Sequence, residues 1–135
     1  MPFVPTTLTA VGTGAERRVT CLELETARTG GLPVALYVGR EEKDNDDGKA
    51  KAEVAATRKF EKELLGSAEA ATAAAGWTLL RVDRGDPDAA RLASSFGVAQ
   101  APAIVLFLPD EAKPIQLDRL TSAGTLVKWF KKGAP

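Results

Sequence analysis

Cysteine and histidine supply much of the nucleophilic, acid–base and metal-binding chemistry open to a protein near neutral pH. This chain holds one cysteine, Cys21, and no histidine. An internal disulfide is therefore impossible. Zinc sites of the Cys₄ or Cys₂His₂ kind are impossible too. Ser-His-Asp and Cys-His catalysis are both excluded, because each needs an imidazole to take the nucleophile's proton. Cys21 itself could act as a nucleophile only with a lowered pKa, which a helix N-terminus or nearby cations can provide. Thr20-Cys21-Leu22-Glu23 has the spacing of a capping box, and Arg17 and Arg18 lie just upstream. The ordinary role of a lone cysteine is that of a small buried apolar residue.

The other chemistry-bearing residues fall into short runs. Asp44, Asp46 and Asp47 precede Gly48 and suggest a calcium loop. With Gly48 in the sixth position of an EF-hand, however, Lys43 would be first and Val54 twelfth, and neither can ligate. The run reads as a hydrated loop, and no metal is expected. Glu41 and Glu42 are adjacent, so they do not share a helix face as a carboxylate pair would. Gly12-Thr13-Gly14 lacks the Gly-Lys-Ser/Thr ending of a phosphate loop. Lys128, Lys131 and Lys132 fit the wet face of a helix. Trp77 and Trp129 fit core or boundary positions rather than stacking platforms.

The 135 residues suit one domain, with 44% hydrophobic and 27% charged residues. Eighteen basic side chains balance 18 acidic ones, so neither nucleic acid nor an anionic membrane surface is an expected partner. No apolar run reaches the roughly 20 residues needed to span a bilayer. Met1 to Ala15 lacks the basic start and apolar core of a signal peptide.

Residues 1–15 are expected to form a loosely ordered lead-in with one short strand near Thr7–Val11. A short helix running to about Arg28 and ended by Gly30-Gly31 should follow, although the alternation Leu22-Glu23-Leu24-Glu25 also permits a strand. The apolar run Pro33 to Val38 predicts a strand buried on both faces. After the polar loop from Arg40, a helix should begin near Lys49, with Phe60, Leu64 and Ala68 on its buried side. Gly66-Ser67 should interrupt it, and the alanine-rich continuation should end at Gly76. Trp77–Asp83 predicts a strand, and Asp86-Pro87 opens a helix that Gly97 closes. Ala103–Leu108 predicts a second buried strand. A turn at 109–113 joins it to a strand over Pro114–Leu120. Ser122 caps a last helix that buries Leu126, Val127 and Phe130. Strands separated by helices pair in parallel, and the closing hairpin adds an antiparallel edge.

The second half carries a more specific pattern. Val82-Asp83 is followed by Asp86-Pro87-Asp88-Ala89-Ala90-Arg91-Leu92-Ala93-Ser94-Ser95-Phe96-Gly97-Val98, and then by Ala99-Gln100-Ala101-Pro102-Ala103-Ile104-Val105-Leu106-Phe107. With Pro109-Asp110 and the closing helix, this resembles the thioredoxin family from Trp77 onward, fairly at Leu32–Val38 and only weakly before that. The resemblance implies an α/β thioredoxin-like fold over residues 16–135, with a central mixed sheet of four to five strands flanked by helices on both faces. It also implies a cis peptide bond before Pro102, the one kind of linkage where cis is cheap.

The departure is at the active site. The segment from Gly39 to Lys49 carries no Cys-x-x-Cys. If the family's dithiol is aligned further along, at Val54 and Thr57, no thiol is found there either. Dithiol exchange needs one thiolate to attack and a second to resolve the mixed disulfide. The expected function is therefore that of a redox-inactive module that binds a polypeptide partner or serves as a subunit of an assembly, without a cofactor. In the family, extended chains lie along the cis-proline, where the backbone offers strand-like hydrogen bonds. Here that surface comprises Gln100, Ala101 and Pro102, with Gly39 and Arg40 opposite. The alternative is a monothiol redox enzyme, which needs Cys21 partly exposed and near Pro102.

Overall fold

The computed structural model describes residues 3–118 and 121–134. Met1 and Pro2 of the predicted lead-in, Arg119 and Leu120 of the predicted last strand, and Pro135 lie outside the described residues. Seven strands are present among the described residues: β1 (Val4–Pro5), β2 (Leu8–Val11), β3 (Arg18–Cys21), β4 (Val34–Gly39), β5 (Thr78–Asp83), β6 (Ala103–Phe107) and β7 (Ile115–Leu117). The α-helices are α1 (Leu22–Thr29), α2 (Gly48–Phe60), α3 (Ala68–Ala73), α4 (Pro87–Ser95) and α5 (Ala123–Lys132).

The main sheet has the order β1-β5-β4-β6-β7. β4 pairs in parallel with β5 and antiparallel with β6, and β6 pairs antiparallel with β7. Val34 to Gly39 is buried throughout, as expected of a central strand covered on both sides. Alternation divides its side chains. Val34, Leu36 and Val38 join α1 and α4 on one face, through Leu24, Ala27, Ala89, Leu92 and Ala93. Ala35 and Tyr37 join α2, α3 and α5 on the other, through Phe60, Ala70, Leu126, Val127 and Phe130. Helices thus cover both faces of a five-stranded mixed sheet.

Within the segment over residues 1–15, Val4 and Pro5 add a parallel edge strand to β5, and Leu8–Val11 pairs antiparallel with Arg18–Cys21 as a separate ribbon. The ribbon is fastened to α4 by Arg17, which donates to both Asp88 oxygens at 2.9–3.1 Å. The predicted capping box does not form. Thr20 belongs to β3, its hydroxyl donates to the Thr9 carbonyl, and the Glu23 carboxylate accepts the Thr7 N–H instead. Cys21 occupies the N-cap position of α1 without a side-chain cap bond. The ladder to β2 prevails over the local cap because it extends over four residue pairs.

The other punctuation marks act where the residues place them. Asp86 caps α4 with Pro87 in its first turn, Ser67 caps α3, and Ser122 caps α5. α2 begins at Gly48, with Asp47 accepting the Ala50 N–H at 2.8 Å. It runs on through a single wide π-type turn over Glu61–Leu65 before Gly66. Trp77 closes the lower core. Its indole N–H donates to the Phe130 carbonyl at 3.0 Å, and its ring meets that of Phe130 edge-on. No helix among the described residues is long and apolar enough to cross a membrane.

Candidate functional site

The end of α4 aims the segment that leads into β6. Gly97 has φ +83°, its N–H returns to the Ser94 carbonyl, and the Val98 N–H returns to Ala93. This is a Schellman closure, which needs the left-handed conformation that glycine takes freely. The chain then passes through Ala99 and Gln100, both exposed, to a cis bond between Ala101 and Pro102, both buried. Val38 lies opposite Ala103 in the β4–β6 register, which brings Gly39 abreast of Pro102. Gly39 also needs its missing side chain, since a Cβ there would press on the Tyr37 ring at 3.1–3.2 Å.

Two of the predicted site residues, Arg40 and Ala101, meet through a residue that sequence reasoning did not single out. Glu53, on α2, is 7% exposed. Its Oε1 accepts the Ala101 N–H at 2.9 Å. Its Oε2 accepts Arg40 Nη1 at 2.8 Å, and both oxygens accept Arg84 Nη1 at 2.9 Å. Arg40 and Ala101 are thus joined through a single carboxylate, with Arg84 as a third donor. The backbone fixes the two arginines as well. The Arg40 N–H donates to the hydroxyl of buried Thr57, and the Arg84 N–H to the Gly39 carbonyl at 2.8 Å. Arg40 Nε is buried without a partner, and its Nη2 lies 3.9 Å from Asp46. Desolvating a carboxylate costs several kcal/mol, and paired guanidinium groups with charge-assisted hydrogen bonds are the usual offset.

Helical spacing was the available signal for Glu53. Ala50, Glu53, Val54, Thr57 and Phe60 are the buried residues of α2 and recur at three- and four-residue intervals, which places a charged residue inside the apolar stripe. Nothing comparable marks Arg84, whose role follows from its place one residue past β5.

On the other side of the cis bond, the segment from Gly97 to Ala103 and the end of β7, Gln116 to Asp118, line a groove. Gln116 reaches across it, donating from Nε2 to the Phe96 carbonyl at 2.6 Å. A second recess, between β1 and α4, is lined by Glu41, Asp83, Asp86 and Asp88. All four carboxylates have structural partners: Glu41 pairs with Arg81 at 3.4 Å, Asp83 accepts the Gly85 N–H, Asp86 caps α4, and Asp88 holds Arg17. In the acidic loop, Asp46 accepts the Lys43 N–H and Asp47 caps α2.

Cys21 lies in the core with 1% exposure, among α1, α4 and the sheet. Burial, reinforced by Glu23, pushes its thiol up, and the nearby backbone N–H groups of Leu24 and Glu23 oppose this only in part. Of the two cations expected from sequence to activate it, Arg17 is committed to Asp88 and Arg18 is exposed at the start of β3. These are the surroundings of an inert thiol rather than a nucleophile.

No family model matches the chain, and no curated protein matches it. Among solved structures, it is similar to a thioredoxin from Thermus thermophilus, with a TM-score of 0.59 and 16% identity over 81% of this chain and 78% of that one. Chloroplastic thioredoxin z aligns with a TM-score of 0.46 and 12% identity, over 82% and 86% of the two chains. The fold is thioredoxin-like, and its one cysteine leaves it without a Cys-x-x-Cys motif.

Proposed function

We propose that this chain is a non-catalytic thioredoxin-like module that binds a polypeptide partner, or docks as a subunit of a larger assembly, through the face around Gln100, Ala101 and Pro102, with Gly39 and Arg40 beside it. The observation that carries the reading is the pairing of a cis Ala101–Pro102 bond, bordered by a groove, with a sulfur inventory of one buried thiol. The cis-proline segment, along which the resemblance implies an extended chain lies, supports the reading, and the two thiols that would exchange that chain's disulfides are not both available. The monothiol alternative needs a partly exposed Cys21, and the burial of that residue weighs against it.

The test is a photo-crosslinking amino acid placed at Gln100 and, as a control, at exposed Lys131 on the far helix, in the cell of origin. A protein captured at Gln100 and not at Lys131, whose linkage maps to an extended segment, supports the reading. Equal capture at both positions, or none at Gln100, refutes it.

A further inference from the structure

We infer that Glu53 is a resident occupant of the docking position beside the cis bond, an internal carboxylate that takes the main-chain donor an incoming chain would use. The inference rests on the polypeptide-binding reading above. An extended segment laid along residues 100–102 would seek main-chain donors and acceptors there. The one N–H immediately before the cis proline, that of Ala101, is already given to Glu53 at 2.9 Å. The acceptor is a strong one. A carboxylate forms shorter and stronger hydrogen bonds than the neutral carbonyl of a competing backbone.

Glu53 is also tethered on its other sides. Arg40 Nη1 at 2.8 Å and Arg84 Nη1 at 2.9 Å hold it from the other sides, and both arginines are anchored through their own backbone N–H groups. Gln100 and Ala99 remain exposed next to it. The face thus keeps its outer contacts and lacks its central donor. A partner must either dock without that donor or supply an acceptor that displaces Glu53 toward the two arginines. In the latter case the carboxylate retains its guanidinium bonds, and only one hydrogen bond is exchanged. Glu53 therefore sets how tightly, and with what kind of chain, the face can engage.

The direct measurement needs no substitution. In the full chain, a scalar coupling across the hydrogen bond should link the Ala101 amide nitrogen to the Glu53 side-chain carboxyl carbon, and the Ala101 amide should exchange with solvent far more slowly than those of Ala99 and Gln100. Absence of the coupling together with fast exchange overturns the inference. In Glu53→Ala, Ala101 exchange should accelerate by about tenfold or more, the loss of one charge-assisted bond. The probe is carbamidomethylated insulin B chain, an extended polypeptide without a free thiol. It should bind this variant about tenfold more tightly than the parent, shifting the Ala101 resonance. Glu53→Gln, which keeps a neutral acceptor in place, should fall between the two. An opened Ala101 amide with parental probe affinity, the probe still shifting residues 97–103, refutes the inference and leaves the docking reading standing. An opened amide with no probe-induced shift at residues 97–103 in any variant refutes the docking reading and the inference with it.

Discussion

Arg40, Glu53 and Arg84 form a charged cluster inside a fold of ordinary size, and its coupling can be measured. Consider Glu53→Ala. The substitution removes the acceptor for Ala101 N–H and for two guanidinium groups. Removing one member of a fully buried ion pair costs about 3–5 kcal/mol, because a charge is left stranded. Here the stranded groups are arginines whose side chains are 19% and 22% exposed, so they can turn partly to water. The Ala101 N–H loses its carboxylate acceptor, and a buried donor left unmet costs about 1–3 kcal/mol. Together with the small cavity, the expected loss is about 2–4 kcal/mol, within the 5–15 kcal/mol typical of a domain, so the variant still folds. Arg84→Met leaves Arg40 and Ala101 to hold the carboxylate, and the expected cost is about 1–2 kcal/mol. The double variant should lose less than the sum of the two, by about 1 kcal/mol or more, because each substitution removes the other's partner. Urea denaturation at fixed ionic strength reads all three values without the screening that guanidinium salt introduces. A double variant additive to within about 0.5 kcal/mol, or a Glu53→Ala variant as stable as the parent, would show that the three side chains do not act as a cluster.

Other expected outcomes concern the thiol and the two cores. Cys21 should react with an aromatic disulfide reagent at a rate set by opening of the fold, reaching its full extent only in denaturant, and the chain should show no insulin reductase activity. A fast native-state reaction near neutral pH would contradict the buried, proton-retaining thiol. Tyr37 is likewise pushed up, by burial first and by the neighbouring Glu61 second. Both groups keep their protons in the folded chain after the unfolded chain has released them. Stability should therefore hold below about pH 8.5, the unfolded cysteine value, and fall as pH rises through it and again above about pH 10. Tyr37→Phe should remove the second part of that fall; an unchanged alkaline slope in urea titrations would refute the assignment. Phe130→Ala should cost about 3–5 kcal/mol through loss of a fully buried ring packed on Trp77. Gly133→Ala should cost about 1–3 kcal/mol, since its Cβ would press into Leu108 and Trp77. Thermal melts of the two variants check both values.

Where the backbone must do something unusual, the residues announced it. Asp86-Pro87 opens α4, Gly97 closes it in the left-handed region, Ser122 caps α5, and Pro102 follows the cis bond. The run over residues 34–38 is legible for a related reason: a strand buried on both faces has no polar face to confuse its period. In the lead-in the strand near Thr7–Val11 was legible, whereas β1 was not, because it owes its existence to a distant partner. Val4 and Pro5 pair with Leu80 and Arg81, more than 70 positions away, and Arg17 is fixed by Asp88. Local pattern carries no trace of such pairings, and at Thr20–Glu23 it pointed to a cap that the β2–β3 ladder displaces. At the site, Gln100, Ala101, Pro102, Gly39 and Arg40 could be proposed because they flank a recognisable proline segment. Glu53 could not, since a glutamate between alanine and valine in a helix ordinarily faces water. Only its place in the stripe with Thr57 and Phe60 separates it from Lys51, Lys59 and Lys62, which are exposed.

The cluster also bears on what a chain of this fold does when its dithiol is absent. A Cys-x-x-Cys pair has to be reachable, because its chemistry is an attack on another molecule's sulfur. At the same junction of β4, α2 and the cis-proline segment, this chain instead places a carboxylate with 7% exposure, tied to two arginines and a main-chain amide. Such an arrangement has no thiol to exchange; what it has is shape and charge held in fixed positions. Three separate segments, at Arg40, Arg84 and Ala101, converge on Glu53 and are locked relative to one another. The charge-assisted bonds at that junction leave these side chains little freedom. A dithiol that exchanges disulfides needs reach, whereas the bonds around Glu53 supply rigidity.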